Sequence, residues 1–134
     1  MSFVVDASVI VKWVLSEPDS EAALKLGNWS LFAPELLDAE CASVLWKAAR
    51  HGVLSHEAAA EALAVIGEAA IERLPLGVLL PGAMQHALRL DHPIYDCLYL
   101  EAASWMRLPL VTVDRRLRRL SGHQVQVLGL DDLS

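Results

Sequence analysis

Short β-branched apolar runs alternate along this chain with longer stretches of helical periodicity, and that alternation restricts the fold more than any single residue does. "SFVVD" at 2–6, "SLFA" at 30–33, "PLVTVD" at 109–114 and "VQVLGL" at 125–130 read as strands. Between them, "ASVIVKWVLS" reads as a short helix and "SEAALKLGNW" as a second one starting near Asp19 or Ser20. "PELLDAECASVLWKAARHG" predicts a long helix with Pro34 in its first turn and Gly52 as its stop. Ser55 caps the next, "HEAAAEALAVIGEAAIERL", which reads as helical through Leu74. A short extended piece is expected at 74–76, then a helix to about Leu90 and another over "HPIYDCLYLEAASWMR", with Pro93 in its first turn. "RRLRRLSG" predicts a last helix, stopped at Gly122. Strands separated by helices build a parallel sheet covered on both faces, so the fold class is α/β. With 134 residues, no internal repeat and no Pro/Gly/Ser-rich linker, one domain over 1–134 is expected.

In such sheets ligands sit beyond the carboxyl ends of the strands. Asp6 stands at that end of the first strand and Asp114 directly after "LVTV". Either could simply cap the helix that follows. Glu40 is harder to explain this way. At about 100° per residue its helical neighbours are Leu36, Leu37, Cys41, Val44 and Ala48, which turns it toward the interior. Asp96 lies in a first helical turn, where the dipole favours an acid, yet its neighbours Tyr99, Leu100 and Ala103 also turn it inward. Four converging carboxylates repel one another unless some are protonated or a cation binds. Oxygen-only donors select Mg²⁺ or Mn²⁺ over Zn²⁺. His51, His56, His86, His92 and His123 form no H-x-x-x-H pair, and the chain has neither a G-x-x-x-x-G-K loop nor a G-x-S-x-G elbow. An acidic pocket without a dedicated nucleophile suits hydrolysis of a phosphodiester by water activated at a metal.

A net charge of −6 argues against general coating of nucleic acid but leaves room for a local contact. Arg115, Arg116, Arg118 and Arg119 concentrate basic charge in "DRRLRRL", which is either a solvated face or, at Arg115 and Arg116, a phosphate-binding patch. Cys41 and Cys97, without C-x-x-C spacing, read as small core residues in a reducing compartment, hence the cytoplasm. No apolar run of about 18 residues suggests a membrane span, and Asp6 breaks any signal-peptide pattern. Of Trp13, Trp29, Trp46 and Trp105, at least two are expected in the core and the others at a partner surface.

"VVDASVIVKW", "APELLDAECASVLWK", "HPIYDCLYLEAA" and "LVTVDRRL", in this order, resemble PIN-domain proteins of the VapC toxin type. The resemblance runs from near residue 2 to about 127. It implies a three-layer α/β/α fold around a central, mostly parallel sheet. It also implies that Asp6, Glu40, Asp96 and Asp114 are the family's acidic quartet, catalytic and metal-holding, with Ser8 helping to order the metal or its water. Thr112 matches a hydroxyl position often seen two residues before the last acid. Asp6 then reads as a ligand rather than a cap. The family further implies an Mg²⁺- or Mn²⁺-dependent endoribonuclease acting on tRNA or rRNA, a homodimer, and inhibition by a cognate antitoxin protein. Two other readings are a catalytically idle PIN-fold module that binds RNA or a partner, and an aspartate-based phosphotransfer protein. Against the latter, Ser8 stands where a phosphatase of that kind needs a second Asp.

Overall fold

The computed structural model describes residues 1–120 and 124–133. Strands β1 (Ser2–Val5), β2 (Ser30–Pro34), β3 (Ile71–Leu74), β4 (Leu110–Val111) and β5 (Val127–Leu128) form one sheet in the order β3-β2-β1-β4-β5. Every pairing in it is parallel. Phe3, Val4 and Val5 are buried in succession, as expected of a central strand with both faces covered.

The helices are α1 (Ala7–Ile10), α2 (Ser20–Leu24), α3 (Leu36–Arg50), α4 (His56–Glu68), α5 (Leu76–Leu90), α6 (Ile94–Met106) and α7 (Arg115–Arg118). Short 3₁₀ turns extend α1 over Val11–Trp13 and α2 over Lys25–Asn28, and another spans Leu130–Leu133. The α6 helix packs on β1, β2 and β4 and carries α5 on its outer side, whereas α3 pairs with α4 and meets α1. Among the described residues, no helix is long and apolar enough to cross a membrane.

The topology explains where a site can form. From β1 the chain winds to β2 and β3 on one side, then returns through α5 and α6 to place β4 and β5 on the other. The carboxyl ends of β1 and β4 therefore lie side by side where the winding reverses, the usual crevice of parallel α/β sheets.

The structure corrects the local reading in several places. The helix expected over 56–74 ends at Glu68, and Ile71–Leu74 is strand β3, so the extended piece lies earlier than 74–76. Apart from β-branched Ile71, "EAAIERL" consists of good helix formers, and tertiary contacts accompany the break: Ile71–Leu74 pairs with β2, and Arg73 bridges the junction. Arg73 donates to the carbonyls of Ile66 (2.7 Å), Ala69 (3.0 Å) and Ile71 (2.6 Å), and also forks onto Asp38 of α3 at 3.0 and 3.2 Å. It thus adds a second, charged donor to carbonyls at the end of α4 that already accept from backbone, Ile66 O from the Ala69 amide at 3.1 Å and Ala69 O from the Ile71 amide at 2.8 Å. Pro34 belongs to the end of β2 rather than to a first helical turn, and α3 begins at Leu36. The β4 and β5 ladders are shorter than the runs 109–114 and 125–130, although the Thr112 amide still donates to Leu128 O at 2.9 Å. The helix expected over 115–122 spans Arg115–Arg118, and the stop expected at Gly122 lies outside the described residues.

Trp13 and Trp29 pack against the core; Trp13 donates to Ala23 O at 2.7 Å and Trp29 meets Phe3 edge-on. Trp46 and Trp105 are exposed.

Replacing Arg73 by Met should lower stability by about 2 kcal/mol, since a mostly buried guanidinium loses charge-assisted hydrogen bonds to three carbonyls and to the partly exposed Asp38. Urea denaturation of the variant beside the unaltered chain checks this, and an unchanged midpoint would show that the break between α4 and β3 does not depend on Arg73.

Candidate active site

Asp6 occupies the N-cap position of α1 with extended backbone (φ −94°, ψ 156°), yet its side chain makes no cap bond. Its Oδ2 instead accepts from Thr112 Oγ1 at 2.6 Å and Ser8 Oγ at 2.7 Å. Each hydroxyl has one hydrogen, and both are directed at this oxygen, so the 3.2 Å approach of Ser8 Oγ to Thr112 Oγ1 is packing within the cluster. The hydroxyls in turn accept from backbone: Ser8 from the Val113 amide at 3.2 Å, Thr112 from the Asp114 amide at 3.0 Å. A relay of neutral donors thus runs from the end of β4 to a carboxylate at the end of β1. Burial nevertheless pushes the Asp6 carboxyl above its ordinary range, and the nearby Asp96 charge adds to this against the hydroxyl bonds.

Glu40 projects from α3 and is half-buried. Tyr99 of α6, completely buried, donates to its Oε1 at 2.7 Å. Burial raises the Glu40 carboxyl too; the Tyr99 bond opposes this, while the charges of Asp6 and Asp96 reinforce it. Asp96, in the first turn of α6, is paired through Oδ2 with His92 Nε2 at 2.8 Å. Asp114 behaves differently: its Oδ1 caps α7, accepting from the amides of Arg116 (2.8 Å) and Leu117 (3.4 Å).

These side chains share one open cleft of about 420 Å³. Asp6, Ser8, Glu40, Asp96 and Asp114 all line it, together with Ser43, Val44, Lys47 and Tyr95. Thr112 lies behind Asp6, fully buried. Arg115 and Arg116 are exposed on α7 and do not line the cleft. Arg118 is engaged elsewhere, with Asp132 at 3.0 Å and Asp131 at 3.6 Å. Burial pushes the Cys41 thiol up to about 12 and the Cys97 thiol up to about 11, so neither supplies a thiolate nucleophile at neutral pH.

The family model described as the PIN domain matches residues 3–123. The chain belongs to the PIN-domain family. Among its relatives, ribonuclease VapC3 of Mycobacterium tuberculosis is 35% identical over 120 residues, covering 87% of this chain and 85% of that protein. Ribonuclease VapC3 of Pyrobaculum aerophilum is 32% identical over 121 residues, covering 87% and 92%. Among solved structures, PAE2754 from P. aerophilum superposes with a TM-score of 0.74 at 23% identity, covering 99% of this chain and 86% of its own. The M. tuberculosis toxin VapC20, described as cleaving the sarcin-ricin loop, gives 0.70 at 14% identity, covering 92% and 98%. This PIN domain is therefore of the VapC type.

Two side chains at the PIN-domain cleft escaped the sequence reading. Tyr99 follows Asp96 by three residues on the same helix face, and His92 precedes it by four, spacings that bring side chains together on a helix. Read as apolar filling, Tyr99 hid a hydroxyl whose acceptor lies 59 residues away.

The raised carboxyls fix the sign of a pH effect. The native state holds protons on Asp6 and Glu40 more tightly than the unfolded chain, whose ordinary values are 3.8 and 4.5. The cost of ionising them in the fold is absent below those values, grows as pH rises through the raised folded values, and is complete above them. In a chelator-containing buffer, the stability of Asp6→Asn relative to the unaltered protein should therefore rise with pH across that window and then level off. Melting both proteins against pH tests this; a difference that stays flat or falls would contradict it.

Proposed function

We propose that this chain is an Mg²⁺- or Mn²⁺-dependent endoribonuclease toxin in which Asp6, Glu40, Asp96 and Asp114 hold the metal at the cleft. The observation that carries this reading is the behaviour of Asp6. A helix-cap position is occupied by a buried carboxylate that does not cap, held instead by Ser8 and Thr112; it feels the charge of Asp96, and its own charge acts on Glu40. The ribonuclease relatives support RNA as the substrate, and the loop-cleaving VapC20 toxin supports a structured RNA of the tRNA or rRNA class.

The donor set fits a hard divalent ion. Among the described residues, no group of three or more carboxylates, imidazoles or thiols is gathered closely enough to hold a metal ion by itself. Mg²⁺ does not need one: it keeps several waters and takes one or two carboxylates together with substrate phosphate. When bound, the ion supplies Lewis-acid stabilisation of charge developing on the phosphodiester. The chain's own part is positional. Ser8 and Thr112 fix Asp6, Tyr99 fixes Glu40 and His92 fixes Asp96, each through one carboxylate oxygen. Exposed Arg115 and Arg116, just after Asp114, would take RNA phosphates.

Incubating the protein with tRNA and rRNA in Mg²⁺ or Mn²⁺ should give discrete cleavage. Asp6→Asn, Glu40→Gln, Asp96→Asn and Asp114→Asn should each abolish it with the fold retained; Asn still caps α7. Divalent ions should stabilise the unaltered protein, by about 2.7 kcal/mol at a hundredfold excess over Kd, and not Asp6→Asn. Arg115→Ala with Arg116→Ala should weaken RNA binding and flatten its salt dependence. Full activity of Asp6→Asn would refute the site, and RNA binding without cleavage would leave an idle module.

We also propose an antitoxin partner, a homodimer and a cytoplasmic location. A solved VapBC2 complex from Rickettsia felis, bound to a DNA fragment from its promoter, shares the fold (TM-score 0.67, 15% identity, covering 96% of this chain and 98% of that one) and supports the first. An apolar groove of about 470 Å³ between α3 and α4, lined by Leu45, Trp46, Ala49 and Leu63, runs along the helix that carries Glu40 and suits the body of an inhibitory segment. A cation on that segment, arginine for its planar fork, would be drawn to the acids. For the homodimer, α5 exposes Leu80, Met84 and Leu88 four residues apart, in one apolar stripe. The two buried free thiols suit a reducing compartment. Light scattering should give a dimer for the chain alone and a monomer for Met84→Glu. A monomeric unaltered chain would remove the dimer from the proposal.

A further inference from the structure

The acids of the cleft create a difficulty for a polyanionic substrate, and the cleft walls carry two side chains that address it. Tyr95, immediately before Asp96, lines the cleft with 60% of its surface exposed and takes no part in the core. Tyr99, one helical turn later, is by contrast fully buried and bonded to Glu40. On the α3 wall, Lys47 lies seven residues beyond Glu40, a spacing that returns it to the same helix face. Among the described residues that line the cleft, Lys47 is the only lysine or arginine. Among the described residues its ammonium makes no ion pair, although the chain carries 17 acids against 11 Lys and Arg.

We propose that Tyr95 and Lys47 form a subsite for one unpaired nucleotide of the RNA, Tyr95 stacking its base and Lys47 taking an adjoining phosphate. This rests on the ribonuclease reading above and specifies which form of RNA the cleft accepts. Stacking on an aromatic face does not depend on charge, so it supplies affinity that the acidic floor cannot cancel. The ammonium offsets part of the repulsion between that phosphate and the acids of the cleft. A base within a duplex has both faces covered by its neighbours, so this subsite admits a single strand, a loop or a splayed-out base and excludes continuous helix.

The test uses a fluorescein-labelled oligoribonucleotide without self-complementarity, alone and annealed to its complement. Binding is read by anisotropy in Mg²⁺ in an Asp6→Asn background that blocks cleavage. Adding Tyr95→Ala should weaken binding of the single strand roughly tenfold or more, leave duplex binding unchanged, and be rescued by Tyr95→Trp. Adding Lys47→Gln should reduce the slope of log affinity against log salt by about 0.7, one phosphate contact on a single strand. In the chain with Asp6 intact, Tyr95→Ala should raise KM for the single strand more than it lowers kcat. A chain that cleaves RNA while Tyr95→Ala and Lys47→Gln match it in affinity and KM would overturn the subsite and leave the ribonuclease reading standing. Equal losses on single strand and duplex would overturn the stacking role. Absence of any RNA binding or cleavage by the unaltered chain would overturn both.

Discussion

Thr112 donates to Asp6 across 2.6 Å, and this bond joins the ends of two strands 106 residues apart in the chain. The cleft depends on it. A carboxylate at the end of a central strand is costly to bury, and the Asp6 carboxyl registers that cost by holding its proton more tightly than usual. Thr112 and Ser8 make the position tolerable without neutralising it, because hydroxyls supply hydrogen bonds and no charge. A lysine or arginine there would satisfy Asp6 more fully and leave nothing for a cation to bind.

The same economy recurs on the helices. Tyr99 bonds to Glu40, and the burial and neighbouring acids that raise its own hydroxyl's proton affinity keep it a neutral donor. His92 Nε2 pairs with Asp96 Oδ2 at 2.8 Å. Both come from α6 or the residues just before it, the helix that packs on β1, β2 and β4. One element thus anchors the sheet and sets the geometry of two acids. Packing errors in α6 would reach the cleft directly.

Basic charge is placed sparingly. Lys12, buried within the 3₁₀ turn Val11–Trp13, holds Asp19 at 2.8 Å and Glu17 at 3.2 Å, and Arg73 is committed to Asp38 and the end of α4. Arg118 is tied to Asp131 and Asp132. What sequence displays as a run of four arginines is, in the fold, one paired side chain and a smaller exposed set. An acidic protein can in this way present a local cation where a polyanion would arrive.

Strand and helix alternation, the α/β class and the interior-facing placement of Glu40 and Asp96 were legible in the sequence, because periodicity and β-branching are local properties that burial amplifies. Asp6, Glu40, Asp96 and Asp114 could be singled out by position, and the ordered motifs around them carried the resemblance to the PIN domain. The boundary between α4 and β3 was not legible, because the contacts made there are long-range: Ile71–Leu74 pairs with β2, and Arg73 bonds to Asp38, 35 residues away. Nor could local reasoning decide between cap and inward-facing acid, since both use the same residue at the same junction. Asp114 caps α7 while lining the cleft, whereas Asp6 holds a cap position without capping. That difference arises only when β4 is laid beside β1, bringing Thr112 within hydrogen-bond reach, and no window of sequence contains both strands.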